Sequence, residues 1–217
     1  MKSLIAGVIG VWFGLIVVLG ATGEFIGSAG SPPLPLLVGA MVPLLVFVAA
    51  YLVWGRFRKA VLTADLRLLI ALQAWRAGGL GFLALSANGV LPRLFAWPAG
   101  LGDIAVGVTA PFVALALVRS QSFAGSRRFV LWNILGILDL VVALSMGALN
   151  SGFIPGVVGS VTTAPMARLP LVLIPAFLVP LFLMLHLVAL FQARRIPHEH
   201  SPRSYGWTAP SQGTAAS

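Results

Sequence analysis

The chain has 217 residues, of which 59% are hydrophobic and only 9% are charged, and its mean hydropathy is +1.01. Soluble domains carry about 25% charged residues, and disordered chains need low hydrophobicity with high charge, so the composition excludes both classes. The absence of cysteine excludes disulfides, thiolate catalysis and iron–sulfur ligation. The composition is that of an integral membrane protein.

Six apolar stretches are long enough to cross a bilayer, whose hydrocarbon core of roughly 30 Å needs about 20 helical residues. In chain order they lie near 4–21, 35–54, 67–87, 99–118, 129–148 and 170–192. None shows the strict apolar–polar alternation of a barrel strand. The sequence therefore predicts an all-α bundle of six transmembrane helices over residues 1–195. The polar tail, 196–217, is predicted to be disordered and cytoplasmic.

The orientation follows from lysine and arginine, which concentrate near the cytoplasmic ends of spans. Eleven of these residues fall on one side: Lys2, Arg56, Arg58, Lys59, Arg67, Arg119, Arg127, Arg128, Arg194, Arg195 and Arg203. The other side has Arg93 and Arg168. We therefore expect a multi-pass protein of the cell (inner) membrane with both termini in the cytoplasm. The net charge of +9 then reflects topology, and the sequence indicates no nucleic-acid partner.

Two opposite charges fall near the middle of predicted spans. Arg76 follows the start of the third span at Arg67 by nine residues, and Asp139 follows the start of the fifth at Phe129 by ten. Since a helix rises 1.5 Å per residue, both lie at a similar depth, where a charge costs about 2.5–3.5 kcal/mol. We predict an Arg76–Asp139 ion pair. The sequence leaves open whether the pair serves transport or only fixes packing.

A second layer of polar residues is expected on the cytoplasmic side of this pair. It contains Gln73, Asn133 and His186, and the histidine is expected either to bond to one of the two amides or to handle a proton. One histidine within a span excludes a bis-histidine haem, and we expect no cofactor. The tail motif His198-Glu199-His200 offers too few ligands for a structural metal site.

A third layer is expected towards the outside. If the fourth span begins near Ala99, Asp103 lies in its outer third, and Arg93 is expected either to pair with it or to lie in water. On this count the carboxylates of Asp103 and Asp139 differ in height by roughly 5–10 Å. They would then be too far apart to share a proton.

The string Gly100-Leu101-Gly102-Asp103 resembles the G-x-G-D motif of intramembrane aspartyl proteases. The resemblance implies a catalytic aspartate at Asp103 and a second aspartate sharing its proton. That family places the second aspartate on the preceding helix, where this chain carries Arg76. Asp139 is the remaining candidate for that role.

We interpret the chain as a transport or channel-like protein that moves a small solute or uses a proton or ion. The alternatives are a membrane-embedded enzyme of aspartyl protease type and a structural or assembly subunit. Its expected surroundings are the lipid bilayer and a small solute or proton. The Gly10-x-x-x-Gly14 spacing on the first span also permits a helix-mediated oligomer.

Overall fold

The structure is a computed structural model that describes residues 2–28, 30–154, 156 and 159–196. This part of the chain is helical and contains no strand. Six helices are long and apolar enough to cross a membrane: Ser3–Thr22, Leu34–Val53, Leu66–Ala87, Arg93–Arg119, Arg127–Leu149 and Ile174–Ala193. The prediction of an all-α chain with six helices of this length is confirmed. The tail motif at 198–200 lies outside the described residues.

The α-helices are numbered in chain order. They are α1 (Lys2–Thr22), α2 (Leu34–Val53), α3 (Gly55–Leu62), α4 (Leu66–Leu72), α5 (Leu80–Ala87), α6 (Arg93–Arg119), α7 (Arg127–Leu149) and α8 (Val179–Ala193). The side chain of Asp65 caps α4 by accepting a hydrogen bond from the Arg67 amide (2.9 Å). Ser126 caps α7 in the same way through the Phe129 amide (3.2 Å). Such caps satisfy amides that have no partner within the helix.

The third and sixth long helices are not regular throughout. A 3₁₀-helix, Gln73–Gly79, joins α4 to α5, and a π-helical turn, Ile174–Leu178, precedes α8. Pro175 lies in that π turn, where the missing amide of a proline is tolerated. Helix α6 also begins six residues earlier than predicted, at Arg93, because Pro98 is accommodated inside the helix instead of ending a loop.

The sixth long helix is the centre of the bundle. In its most apolar window 61% of residues are buried, against 6% for the windows of α1 and α2. Large apolar side chains such as Val42, Leu45 and Val46 of α2 and Leu135 and Leu138 of α7 are exposed. Contiguous apolar surface on this scale is not sustained in water.

The connections gather at two ends of the bundle. At one, the Gln192 side chain donates to the backbone carbonyls of Val61 (3.0 Å) and Ala64 (3.1 Å), which ties the end of α8 to the α3–α4 connection. Exposed lysines and arginines lie around this connection and at the adjoining helix ends, and we call it the basic end: Arg56, Arg58, Lys59, Arg67, Arg119, Arg127, Arg128, Arg194 and Arg195. The opposite end contains the α1–α2 and α7–α8 connections, and we call it the loop end. There Thr163 donates to the Gly147 carbonyl (2.7 Å).

Apolar clusters fill the interior above and below the polar residues. Ile70, Leu117 and Phe129 pack together near the basic end. Phe82 and Phe95 form a second cluster towards the loop end. The charged side chains therefore lie between two dry layers of the bundle.

Candidate functional site

The 3₁₀-helix sets the position of Arg76. With three residues per turn, side chains at i and i+3 eclipse one another. The three buried residues of this helix are Gln73, Arg76 and Gly79, spaced by three, so they form one inward face. That face packs against α6, where Gly79 and Gly100 allow the backbones to come close. A β-carbon at Gly79 would lie 2.8 Å from the Gly100 carbonyl oxygen.

Arg76 uses its guanidinium group to bind two helices at once. Its Nε donates to Asp103 of α6 at 2.7 Å, and its Nη2 donates to Asp139 of α7. Its Nη1 points towards the Gly136 carbonyl (3.3 Å) and the Nε2 of His186 (3.2 Å). The Arg76 side chain is fully buried, while each carboxylate keeps 14% of its surface exposed. We call Arg76, Asp103 and Asp139 the charge cluster.

His186 extends the cluster towards the basic end. A guanidinium only donates, so the Nε2 that faces Arg76 must be the acceptor and carry no proton. The proton then lies on Nδ1, which is 2.9 Å from the Asn133 side-chain oxygen. Asn133 in turn donates to the Phe129 carbonyl at 2.9 Å. The contacts therefore define a neutral histidine with one tautomer.

Gln73 takes no part in this chain of contacts. Its amide nitrogen donates to the Phe182 carbonyl at 3.2 Å, across to α8. Its side-chain oxygen is buried and has no hydrogen-bond partner among the described residues. Of the two amides expected as partners of His186, Asn133 therefore contacts the ring and Gln73 does not, and Arg76 is an additional partner.

Glycines make the close approach of these side chains possible. A β-carbon at Gly102 would overlap the Asp139 carboxylate, and one at Gly136 would overlap the His186 ring. Gly102 belongs to the protease-like motif, whereas Gly136 lies in no motif of the sequence. Both are places where α6 and α7 must lack a side chain for the polar groups to fit.

The structure corrects the expected position of Asp103. It contacts the same guanidinium as Asp139, so the two carboxylates belong to one cluster and not to separate layers. Because α6 begins at Arg93, Asp103 lies ten residues into the helix and not in its outer third. Of the two alternatives for Arg93, the pair with Asp103 does not form, because Asp103 pairs with Arg76 and Arg93 is exposed at the helix start.

The cluster carries more negative than positive charge. One guanidinium faces two carboxylates, and in the described residues no second lysine or arginine pairs with either. His186 adds no charge in the tautomer that its contacts define. With both carboxylates ionised, the site has a formal charge of −1. A proton or a cation would neutralise it.

A cavity of about 180 Å³ connects the cluster to the loop end. Asp103 and Leu140 lie at its inner end, and Phe82 and Phe95 form part of its walls. At the other end it is lined by exposed residues of the α1–α2 connection, including Ser28 and Ser31. Through this cavity Asp103 is accessible from one end of the bundle.

Comparison with known proteins gives a family and no activity. The profile of a family described as a domain of unknown function (DUF8737) matches residues 33–194, which cover α2 to α8 and the whole charge cluster. No curated protein and no solved structure matches the chain.

Proposed function

We propose that this chain, which belongs to the family described as a domain of unknown function (DUF8737), is an integral membrane protein that moves a small solute and couples this movement to a proton or cation bound at its charge cluster. The observation that carries the proposal is the shared guanidinium. Two partly exposed aspartates share one buried guanidinium, and one of them, Asp103, also lines a cavity. Such a site favours the uptake of one further positive charge.

The membrane setting rests on the six apolar helices and their exposed apolar faces. By the positive-inside rule the basic end faces the cytoplasm of the cell (inner) membrane, and both termini lie there. The loop end, and with it the cavity, then faces the outside. Charged residues inside a span that face a cavity are typical of substrate and ion pathways.

Two features favour transport over a channel that is open throughout. The Arg76 side chain is fully buried and bonds to Asp103, which lies at the inner end of the cavity. Beyond it, the apolar cluster of Ile70, Leu117 and Phe129 lies towards the basic end. A solute that enters the cavity would therefore need a conformational change to proceed, which is the behaviour of a transporter.

The alternative of an intramembrane aspartyl protease has weaker support. A catalytic aspartate dyad shares one proton between its carboxyl groups. Here each carboxylate accepts a hydrogen bond from the Arg76 guanidinium, and among the described residues no hydrogen bond joins the two carboxyl groups to each other. A structural subunit, the third interpretation, gives no account of the cavity that ends at Asp103.

The test is proton movement in vesicles that contain the purified protein. A pH-sensitive dye is enclosed, a membrane potential is imposed, and proton entry is measured with a panel of small solutes outside. We expect entry that exceeds that of protein-free vesicles and is lost in Asp103→Asn and Asp139→Asn. Glu24→Gln, which neutralises an exposed carboxylate at the loop end, serves as the control. Entry that never exceeds that of protein-free vesicles would refute the proposal.

A further inference from the structure

The cavity that ends at Asp103 combines two unlike surfaces. Its walls are mainly apolar, with Phe25, Phe82 and Phe95 among the lining residues. Phe82 and Phe95 pack edge to face with their ring centroids 5.4 Å apart. Among the described residues that line the cavity, Asp103, at its inner end, is the one that carries a charge. A ligand that satisfies both surfaces must be apolar over most of its length and charged at one tip.

The sign of that charge follows from the charge cluster. Arg76 already bonds to Asp103 and Asp139, and with both carboxylates ionised the three groups sum to a formal −1. A carboxylate or phosphate entering the cavity would add repulsion. A bare metal ion would leave its water shell and gain only apolar walls and one carboxylate, whereas hard cations prefer several oxygen ligands. An ammonium group on an apolar body meets neither difficulty.

We propose that the cavity binds small apolar amines in their ammonium form, with the ammonium group on Asp103 and the apolar part between the phenylalanines. The proposal rests on the proposed function, since it names the cation that the charge cluster accepts. Aromatic rings attract ammonium groups through their negative faces. The Asp103 carboxylate keeps 14% of its side-chain surface accessible, which leaves room for one more donor beside Arg76.

The size of the cavity limits the ligand. An engineered apolar cavity of about 150 Å³ binds benzene, and this one has about 180 Å³. It therefore has room for a benzene ring and a short aminoalkyl chain. The Ser151 hydroxyl also lines the cavity and has no hydrogen-bond partner among the described residues. It offers a polar contact to a substituent on the part of the ligand far from Asp103.

The first measurement compares three probes of one shape and different charge. 2-Phenylethylamine, 2-phenylethanol and phenylacetate are titrated by calorimetry into the purified full-length protein in lipid nanodiscs. We expect saturable binding of the amine, at least about tenfold weaker binding of the alcohol, and no binding of the anion. The alcohol also corrects for partition into lipid. Equal binding of amine and alcohol, or no saturable amine binding, would overturn the proposal.

Two variants then locate the site. Asp103→Asn removes the extra charge but leaves the Arg76–Asp139 pair, and should reduce amine affinity to that of the alcohol. Ala143→Leu places a larger side chain on the cavity wall and should weaken both probes, while Val142→Leu on the exposed side of α7 should change neither. Glu24→Gln should leave amine binding unchanged. Amine binding that survives both cavity variants would contradict the assignment, and the comparison of probes on the unmodified protein holds even if a variant does not fold.

A flux measurement separates this proposal from the proposed function. Vesicles containing the protein are given labelled 2-phenylethylamine, and uptake and proton movement are recorded together. Charge-selective binding without protein-dependent uptake would leave the amine site standing and refute transport. Proton-coupled uptake of another solute, without amine binding, would refute the amine site and leave the transporter standing.

Discussion

At the scale of single residues, the main asymmetry is between Arg76 and its two partners. Each aspartate pairs with one cation, Arg76. Arg76 pairs with two carboxylates and has two further hydrogen-bond acceptors at 3.2–3.3 Å. Loss of one aspartate leaves a neutral pair. Loss of Arg76 leaves two carboxylates that repel each other in a mostly dry interior, where unpaired charges are costly.

We therefore predict unequal effects of neutralising the three charges. Arg76→Met should lower the free energy of unfolding by about 3–5 kcal/mol, as for other broken buried pairs, and Asp103→Asn or Asp139→Asn by less than half of that. Thermal unfolding of the purified variants in detergent measures the order, with Glu24→Gln as the control. A fully stable Arg76→Met variant would show that the guanidinium is not paired in the interior.

His186 gives a second prediction at this scale, because its tautomer follows from its two partners. Nitrogen NMR of the histidine-labelled protein should show a ring protonated on Nδ1 alone. Asn133→Leu removes the acceptor of that proton and should cost about 1–3 kcal/mol, with a change in the His186 signal. The exposed change Ile134→Leu is the matched control. A ring protonated on Nε2 would contradict the Arg76 contact.

At the scale of the elements, the line of close approach between α6 and the 3₁₀-helix depends on glycine. A β-carbon at Gly107 would overlap the Ala77 backbone nitrogen, and main chain cannot move aside as a flexible side chain can. Gly81, on α5, has nothing within 4 Å of such a carbon. Alanine substitutions at the two glycines therefore distinguish the cost of a backbone overlap at Gly107 from the gain in helix propensity at Gly81.

Gly107→Ala should be destabilising and Gly81→Ala should not. Overpacking of a close contact costs about 1–3 kcal/mol, whereas alanine favours a helix over glycine by roughly 0.5–1 kcal/mol. Melting temperatures of the two variants in the same detergent provide the comparison. If Gly107→Ala were as stable as Gly81→Ala, α6 and the 3₁₀-helix would not be in the close contact described.

Much of the architecture could be predicted because hydropathy alone marks a membrane-length helix. The ends of α1, α2 and α7 fall within two residues of the predicted ends. The depth of Asp103 was wrong because the fourth span was expected to begin near Ala99, whereas α6 begins at Arg93 and contains Pro98. The 3₁₀-helix at Gln73–Gly79 depends on contact with α6, and a local sequence pattern does not indicate which helices come into contact.

The candidate site was predictable only in part, for a similar reason. Charges inside spans are rare enough to identify Arg76 and Asp139 from the sequence. That Arg76 also holds Asp103 depends on how α6 is rotated about its axis, and Gly79 and Gly100 set this rotation by allowing contact. The functional role of these residues remains a prediction.

At the scale of the whole molecule, the exposed basic residues and the opening of the cavity lie at opposite ends of the bundle. Nine exposed arginines and lysines lie at the basic end, and residues of the loop end line the cavity. If the positive-inside rule sets the orientation, the cavity is accessible from outside the cell.

The absence of cysteine makes the orientation simple to test. Ser28→Cys at the loop end should react with a membrane-impermeant maleimide on intact cells. Ser122→Cys, between α6 and α7, should react only after permeabilisation. Both positions are exposed in the structure, and the unmodified chain provides a background without labelling. Labelling of both positions from one side would contradict a six-span topology.

The 3₁₀-helix beside Arg76 also has a mechanical consequence. Its seven residues rise about 2.0 Å each, against 1.5 Å in an α-helix, so the third span holds about 3.5 Å of extra axial length. Rewinding to α-helix would turn the chain by about 20° per residue, or about 80° at Arg76, the fourth residue of the stretch. A change of hydrogen-bond register in one short segment is thus enough to swing the guanidinium away from both carboxylates while α6 and α7 stay in place.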